Sequence, residues 1–148
     1  MLIPTDELIH PRVEPEIVFV LVERLEGPAF TSASAMAAVR SVYAGVEVID
    51  SRYIDFKFTL PTSSRIMRPR PGSSSAASSG TPATGAAVQG HPAEALALAA
   101  NALAERGLAR EAGWIVLTGG MTDAVFVEPG QQIVAEFTNL GSVTVAGS

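Results

Sequence analysis

The sequence predicts a single domain of the α+β class, and two patterns of apolar residues support this fold class. In the N-terminal part, a β-branched and aromatic run precedes a helical pattern and further short apolar runs, which is a strand–helix–strand order. In the C-terminal part, one helical pattern precedes several short strands that are separated by turns. A chain of 148 residues with 47% hydrophobic residues is long enough to bury one hydrophobic core.

The first predicted elements lie between residues 9 and 60. Residues 17–22 form an apolar run of the length and composition of a buried strand. Thr31 is predicted to cap a helix that ends at Gly45. The apolar residues of this helix recur at spacings of three and four: Met36, Val39 and Tyr43. Residues 46–49 and 53–58 are predicted as two further strands.

The segment 61–83 differs in composition from the rest of the chain. It is rich in Ser, Ala, Pro, Gly and Arg, and Ile66 and Met67 are its only large apolar residues. Such a composition is typical of a disordered linker. The chain is therefore divided into residues 1–60, an irregular segment 61–83, and residues 84–148.

The last section is predicted to be one helix followed by strands. His91-Pro92 is typical of a helix start, and Gly107 or Gly113 is expected to end the helix. One face of the helix is apolar: Leu96, Ala99, Ala100 and Leu103. The predicted strands are 114–117, 123–127, 132–137 and 142–145, with turns at Pro129-Gly130 and Leu140-Gly141.

Composition excludes several classes of function. The formal net charge of −5 provides no basic stripe for a polyanion, so nucleic acid is not expected as a partner. The absence of cysteine excludes a disulfide framework, a thiolate metal site and a cysteine nucleophile. The N-terminus lacks the pattern of a signal peptide, and no apolar run reaches the ~18 residues that span a bilayer. These features predict a soluble, cytoplasmic protein without membrane partners.

Two glutamates stand out at the start of the first strand. Glu14 and Glu16 are two residues apart, so in an extended chain their side chains point to the same face. Two like charges beside a buried strand are costly to desolvate unless a cation lies between them. Oxygen ligands alone suit Mg²⁺ or Mn²⁺. An isolated Glu-x-Glu pair is nevertheless more often solvated at a strand end.

A third carboxylate strengthens the metal hypothesis. Glu47 lies between Val46 and Val48 in a predicted apolar strand, where a lone carboxylate needs a partner. The alternative is that Glu47 forms a salt bridge with Arg52 or Lys57. Lys57 itself faces either the site or the solvent. Two histidines, His10 and His91, have no metal-ligand spacing to another His, so both are expected to be structural.

Four stretches of this sequence resemble a known enzyme family. They are Ile9-His10-Pro11-Arg12-Val13-Glu14-Pro15-Glu16-Ile17, Val46-Glu47-Val48-Ile49-Asp50-Ser51-Arg52-Tyr53 with Asp55-Phe56-Lys57-Phe58, Gly90-His91-Pro92-Ala93, and Val116-Leu117-Thr118-Gly119-Gly120. They resemble the 4-oxalocrotonate decarboxylase and 2-oxopent-4-enoate hydratase group of the fumarylacetoacetate hydrolase superfamily. The resemblance covers residues 9–60 and 84–146, and its motifs occur in the order of the family.

The resemblance implies a fold, a cofactor and site residues. It implies a mixed β-roll, with Mg²⁺ bound by Glu14, Glu16 and Glu47, and with Lys57 in the active-site neighbourhood as a catalytic residue. The implied substrate is a small 2-oxo or 2-hydroxy dienoic acid. Family members form assemblies of many subunits, so a homo-oligomer or a decarboxylase–hydratase complex is also implied.

The implied reaction is metal-dependent decarboxylation of 4-oxalocrotonate to 2-hydroxypenta-2,4-dienoate. A divalent ion chelated by the 2-oxo and 1-carboxylate oxygens stabilises the charge that develops as CO₂ leaves. The segment from Asp50 to Tyr53, followed by Phe56-Lys57-Phe58, is closer to the decarboxylase branch than to the hydratases. A hydratase acting on 2-oxopent-4-enoate is the alternative.

The sequence departs from the family in two places. Family members have further residues before the position of Leu8, which suggests that this chain corresponds to their C-terminal part. After Leu60 they have a motif close to Leu-Pro-Asp-Val-Ile-Ala-Asp-Asn-Ala-Ser-Ser-Ala-Gly-Phe-Val-Leu-Gly-Gly. One nucleotide string can encode residues 61–77 in one reading frame. In another reading frame, the same string encodes this motif from its first Asp onwards. Segment 61–83 is therefore interpreted as frameshifted, and a natural linker is the alternative.

These departures support a hypothesis from another class. The chain would then be an inactive fragment that only binds a metal ion or associates with intact subunits. Strand edges left exposed by missing segments favour association.

Overall fold

The computed structural model describes residues 1–53 and 82–148. Within them the chain forms strands and helices in the order β1 Leu2–Ile3, β2 Arg12–Leu21, α1 Ser32–Ala37, β3 Val39–Ile49, α2 Pro92–Ala104, β4 Ile115–Leu117, β5 Val125–Phe126, β6 Gln132–Phe137 and β7 Gly141–Gly147. A short 3₁₀ turn, Gly85–Ala87, precedes α2. The predicted α+β class is confirmed.

The strands form two sheets. One has the order β1-β7-β6, with β1 parallel and β6 antiparallel to β7, so this sheet is mixed. In the other sheet, β2 pairs with β3 along one edge and with both β4 and β5 along its opposite edge. Strand β2 is therefore the centre of the second sheet.

Strand β2 is longer than the sequence pattern predicts. It begins at Arg12 instead of residue 17, because β3 pairs with it without interruption from Arg12 to Val20. The long ladder extends the strand through a polar segment that apolar periodicity does not identify. As a result, Glu14 and Glu16 lie inside the strand and not in front of it.

The predicted first helix is mostly wrong. Thr31 caps α1 as expected, since its side chain accepts from the N–H of Ser34, but the helix ends at Ala37. Val39 and Tyr43 belong to β3, where the β-branched and aromatic residues of this stretch pair with β2. Gly45 is not a helix terminator. It lies within β3, where an added Cβ would collide with the side chain of Val18.

Two clusters of buried residues cover one face of β2. Phe19 and Leu21 pack with the helices, in a cluster that also contains Ala35, Leu96 and Ala100. At the other end of the strand a second cluster joins the sheets: Ile3, Val13, Val127 and Val145. Odd-numbered residues of β2 therefore form the face that packs against these two clusters, which leaves the even-numbered residues on the opposite face.

The C-terminal predictions agree more closely with the structure. His91 is the N-cap of α2, with its Nδ1 accepting from the N–H of Ala93, and Pro92 is in the first turn. Gly107, and not Gly113, follows the end of this helix with φ +68°, and its N–H donates to Ala104 O. The predicted strand 132–137 is β6, and the other three predicted strands overlap β4, β5 and β7.

Some predictions lie outside the described residues. These are the strand 53–58 beyond Tyr53 and nearly all of the segment 61–83. Among the helices of residues 1–53 and 82–148, none is long and apolar enough to cross a membrane.

Candidate metal centre

Three glutamates meet on the even-numbered face of β2. Glu14 and Glu16 share this face because they are two residues apart in a strand. Glu47 lies directly opposite Glu14 in the antiparallel register of β2 and β3. The pairing of the two strands therefore brings together carboxylates that are separated by more than thirty residues in sequence.

The three carboxylates are close enough to share one cation. One oxygen from each of Glu14, Glu16 and Glu47 lies within 4.8 Å of the other two. Like charges directly opposite each other on neighbouring strands are destabilising, so this arrangement has a cost in the absence of a counter-charge. The cluster is graded in exposure: Glu16 is only 1% exposed, Glu14 is partly buried and Glu47 faces solvent.

Burial and mutual repulsion change the proton affinity of this cluster. The pKa of Glu16 is raised to about 7, mainly by burial and also by the neighbouring Glu47 and Glu14, against a hydrogen bond from Gly119 that lowers it. Burial also raises the pKa of Glu14, with Glu47 and Asp123 adding to the shift and Arg12 opposing it. Both Glu14 and Glu16 therefore bind a proton more tightly than an exposed glutamate does.

The edge of β2 opposite β3 is interrupted beside the glutamates. Strand β4 pairs with Val18–Val20 and β5 with Arg12–Val13, so the loop between them, residues 118–124, passes the intervening residues of β2. Pro15 fits this gap. The carbonyl of Pro15 accepts a hydrogen bond from Met121 N–H, so it faces the edge opposite β3. The nitrogen and the carbonyl of a strand residue face the same edge. The N–H that proline lacks would therefore also face away from β3, and the ladder between β2 and β3 is not interrupted.

The loop also contacts the two carboxylates on β2. Gly119 N–H donates to Glu16 Oε2 at 2.9 Å. Gly120 lies so near Glu14 that an added Cβ would overlap Glu14 Oε2 and would be 2.9 Å from its Cδ. Thr118 holds the start of the loop, since both its N–H and its hydroxyl donate to Ile17 O.

A second contact holds the far end of the strand pair. Asp50, directly after β3, accepts hydrogen bonds from the backbone N–H groups of Ile9, His10 and Ser51, which lower its pKa. This contact connects the end of β3 to the segment that precedes β2. It therefore supports the register that places Glu47 opposite Glu14.

The sequence left open a salt bridge of Glu47 to Arg52 or Lys57 and predicted a structural role for the histidines. The described residues show ion pairs of Arg24 with Glu26 and Glu111, and none in which Glu47 pairs with Arg52. Lys57 lies outside the described residues. The helix-cap role of His91 confirms that it is structural.

A cavity lies between the two sheets, away from the carboxylates. It has a volume of about 570 Å³ and is lined by Val13, Pro15 and Val46 on one side and by residues of β6 and β7 on the other. Val13 and Pro15 are on the odd-numbered face of β2. The carboxylates are on its other face.

The donor set fits a hard divalent cation. Three carboxylates supply only oxygen ligands, which Mg²⁺ and Mn²⁺ prefer, and leave positions for water or substrate oxygens. A cation would also offset the desolvation and repulsion that raise the pKa of Glu16. The pattern of the sequence indicates these three residues but gives no role to Asp50, Gly119 or Gly120, although the Gly-Gly pair directly after a strand is visible in it.

Known proteins resemble this chain in sequence and in structure. A 4-oxalocrotonate decarboxylase from a Pseudomonas species is 40% identical over 158 residues, which cover 92% of this chain and 60% of that protein. A 2-hydroxyhexa-2,4-dienoate hydratase from Comamonas testosteroni is 30% identical over 159 residues, which cover 93% of this chain and 60% of that protein.

The likeness extends to a solved structure. The 4-oxalocrotonate decarboxylase from Pseudomonas putida, complexed with magnesium and adipate, matches with a TM-score of 0.81 at 33% identity, over 99% of this chain and 64% of that chain. A scan against protein-family models finds no match. The chain spans about three fifths of the length of the curated relatives it matches.

Proposed function

We propose that the chain, which is similar to 4-oxalocrotonate decarboxylases over 92–96% of its length, belongs to their family and carries a divalent-metal site for lyase chemistry on small 2-oxo acids. The observation that supports this proposal is the group of three carboxylates on β2 and β3. The reaction that we propose is decarboxylation of 4-oxalocrotonate to 2-hydroxypenta-2,4-dienoate.

Glu14, Glu16 and Glu47 would hold Mg²⁺, or Mn²⁺ in its place, and the fit of their oxygens to such an ion supports this assignment. When bound, the ion supplies Lewis-acid stabilisation of the negative charge that develops on the 2-oxo acid as CO₂ leaves. The hydrogen bond from Gly119 N–H orients the carboxylate of the buried Glu16. The exposed Glu47 leaves the site open towards solvent.

Lys57 is the residue that we propose for proton transfer or for stabilising the developing charge. The proposal for Lys57 depends on the sequence motif, because this residue lies outside the described part of the chain.

A hydratase is the second candidate, since hydratases are among the relatives. Over more than 90% of this chain, the decarboxylases are 37–40% identical to it and the Comamonas hydratase is 30% identical. A hydratase would add water to 2-hydroxypenta-2,4-dienoate, whereas a decarboxylase would release CO₂ from 4-oxalocrotonate.

A chain that binds the metal ion without turnover is the candidate from another class. The curated decarboxylases are longer than this chain, whose matched region covers 60–62% of their length. We retain three further proposals from the sequence: a truncated mixed β-roll, self-association or a decarboxylase–hydratase complex, and a cytoplasmic location.

The segment 61–83 remains a proposed frameshift. Nearly all of it lies outside the described residues, so its interpretation depends on the encoded motif alone. Resequencing the gene tests it. An uninterrupted reading frame through Pro61 would contradict the frameshift and favour a natural linker.

One set of measurements separates these functions. The purified chain, treated with a chelator and then supplied with Mg²⁺, is incubated with 4-oxalocrotonate or with 2-hydroxypenta-2,4-dienoate while ultraviolet absorbance is followed. We expect Mg²⁺-dependent loss of 4-oxalocrotonate with release of CO₂. Turnover of the dienoate alone would favour the hydratase.

Thermal unfolding with and without Mg²⁺ completes the test. Metal-dependent stabilisation without turnover of either acid would contradict the enzyme and favour the metal-binding chain. The variant Glu47→Gln, whose side chain is exposed in the metal-free chain, is expected to lose this stabilisation, and Glu23→Gln on the exposed turn after β2 is the matched control.

A further inference from the structure

The loop that follows β4 is held against β2 on both sides of Glu16. Thr118 N–H donates to Ile17 O at 3.2 Å, and Met121 N–H donates to Pro15 O at 3.0 Å. Between these two anchors lie Gly119 and Gly120. Their backbone is therefore kept next to the carboxylates by hydrogen bonds that do not involve the carboxylates themselves.

Gly119 directs a hydrogen-bond donor at the buried carboxylate. Its φ of +108° belongs to a region that residues with a side chain rarely adopt, so the direction of its N–H depends on glycine. The bond to Glu16 Oε2 at 2.9 Å occupies one oxygen. Glu16 then has its other oxygen to offer to a cation, and its carboxylate cannot rotate without losing the bond.

Gly120 has no side chain, and the space beside it is occupied by the carboxylate of Glu14. A Cβ at this position would overlap Glu14 Oε2 and would lie 2.9 Å from Cδ and 3.3 Å from Cβ of Glu14. The overlap is with the end of a flexible side chain and not with the backbone, so a methyl group would move the carboxylate and leave the strand in place. The φ of Gly120 is not among the positive values, so alanine is compatible with its backbone.

We propose that Gly119 and Gly120 are positioning residues that set the orientation of Glu16 and Glu14 for a divalent cation. This inference rests on the metal site of the proposed function. It adds that the site is shaped by a loop that supplies no ligand: one glycine directs an N–H at Glu16, and the other leaves room for Glu14.

The test is a double-mutant cycle on Mg²⁺ affinity. The parent chain, Gly120→Ala, Glu14→Gln and the double variant are titrated with Mg²⁺ by calorimetry after treatment with a chelator. We expect Gly120→Ala to weaken binding by about ten- to hundredfold in the parent, as for other residues that orient metal ligands. In the Glu14→Gln background the same change is expected to weaken binding by less than about twofold, because the displaced group is no longer a ligand.

Two controls separate positioning from general damage to the fold. The midpoint of urea unfolding of Gly120→Ala, measured with a chelator present, is expected to match that of the parent. Gly85→Ala, at another glycine without positive φ, is expected to keep the Mg²⁺ affinity of the parent.

The outcomes distinguish this inference from the proposed function. Equal loss of affinity in both backgrounds, or no loss in either, would overturn the positioning role while the metal site remains. A parent chain that binds no Mg²⁺ would overturn both. If the four Mg²⁺ affinities follow the expected pattern but the chain shows no turnover, the proposed enzymatic activity would be contradicted and the positioning role would be supported.

Discussion

At the scale of single residues, the buried carboxylate of Glu16 has the strongest effect on the chemistry of the site. It is 1% exposed, and its described contacts are a backbone N–H and two other carboxylates. A charge in such a position is stable only with a counter-ion or a proton. The same residue therefore makes the site suitable for a cation and costly without one.

The raised pKa of Glu16 predicts how metal-free stability varies with pH. Its pKa is about 7 in the folded chain and 4.5 in the unfolded chain, so the folded state binds the proton more tightly between these values. The unfolding free energy is expected to fall as pH rises from about 4.5 to about 7, by on the order of 3 kcal/mol for this group.

Urea denaturation in the presence of a chelator measures this effect. Glu16→Gln, which cannot ionise, is expected to make the pH dependence shallower and to raise metal-free stability above neutral pH. Glu23→Gln is the control and is expected to keep the parent's slope. If the slopes of the parent and Glu16→Gln are equal, Glu16 does not titrate as proposed.

At the scale of elements, β2 and α2 have separate roles. Strand β2 carries two of the proposed ligands and pairs with three strands, so it determines the geometry of the site. Helix α2 covers the opposite face of β2, next to Phe19 and Leu21. The helix therefore supports the site only through the stability of the strand.

This division of roles can be tested with two leucines of α2. Leu96 is 0% exposed within the core cluster, whereas Leu98 is 56% exposed on the same helix. Leu96→Ala is expected to lower the unfolding free energy by about 2–5 kcal/mol, because it leaves a cavity. Leu98→Ala is expected to change it by less than about 0.5 kcal/mol.

Chemical denaturation measures both variants, and calorimetry measures their Mg²⁺ affinity under folding conditions. We expect both variants to retain the affinity of the parent. A loss of affinity in Leu96→Ala at full folding would show that the core on the odd-numbered face of β2 contributes directly to the site.

At the scale of the whole molecule, the two faces of the sheet that contains β2 differ in how much other elements cover them. The odd-numbered face of β2 is buried beneath the helices and the second sheet. On the glutamate face, large apolar side chains remain exposed next to the site, with Tyr43 at 54%, Ile115 at 65% and Leu117 at 44%. An apolar patch of this kind favours self-association.

We therefore expect the chain to associate in a concentration-dependent manner through this face. Burial of one isoleucine contributes about 2 kcal/mol, so Ile115→Thr is expected to weaken self-association by more than about tenfold. Threonine suits a strand, which limits damage to the fold.

Sedimentation over a range of concentrations measures the association. Leu98→Thr, at a leucine on the helix that is 56% exposed against 65% for Ile115, is the control and is expected to associate like the parent. Association that is unchanged in Ile115→Thr, or reduced equally in both variants, would contradict an interface at this face.

Local patterns in the sequence determined several features of this protein. The continuous apolar run of residues 17–22 marked the central strand, Thr31 and His91 marked two helix starts, and the spacing of Glu14 and Glu16 placed their side chains on one face. These features depend on neighbouring residues, whose geometry is nearly the same in any fold.

Only the tertiary structure decided how the site is assembled. Helix α1 ends early because β3 pairs with β2, Glu47 meets Glu14 because of the register of that pairing, and Gly120 leaves room for Glu14 because a loop crosses the edge of β2. Each of these facts depends on contacts between residues far apart in sequence. Apolar periodicity shows which face a residue occupies, but it contains no information about the partner opposite.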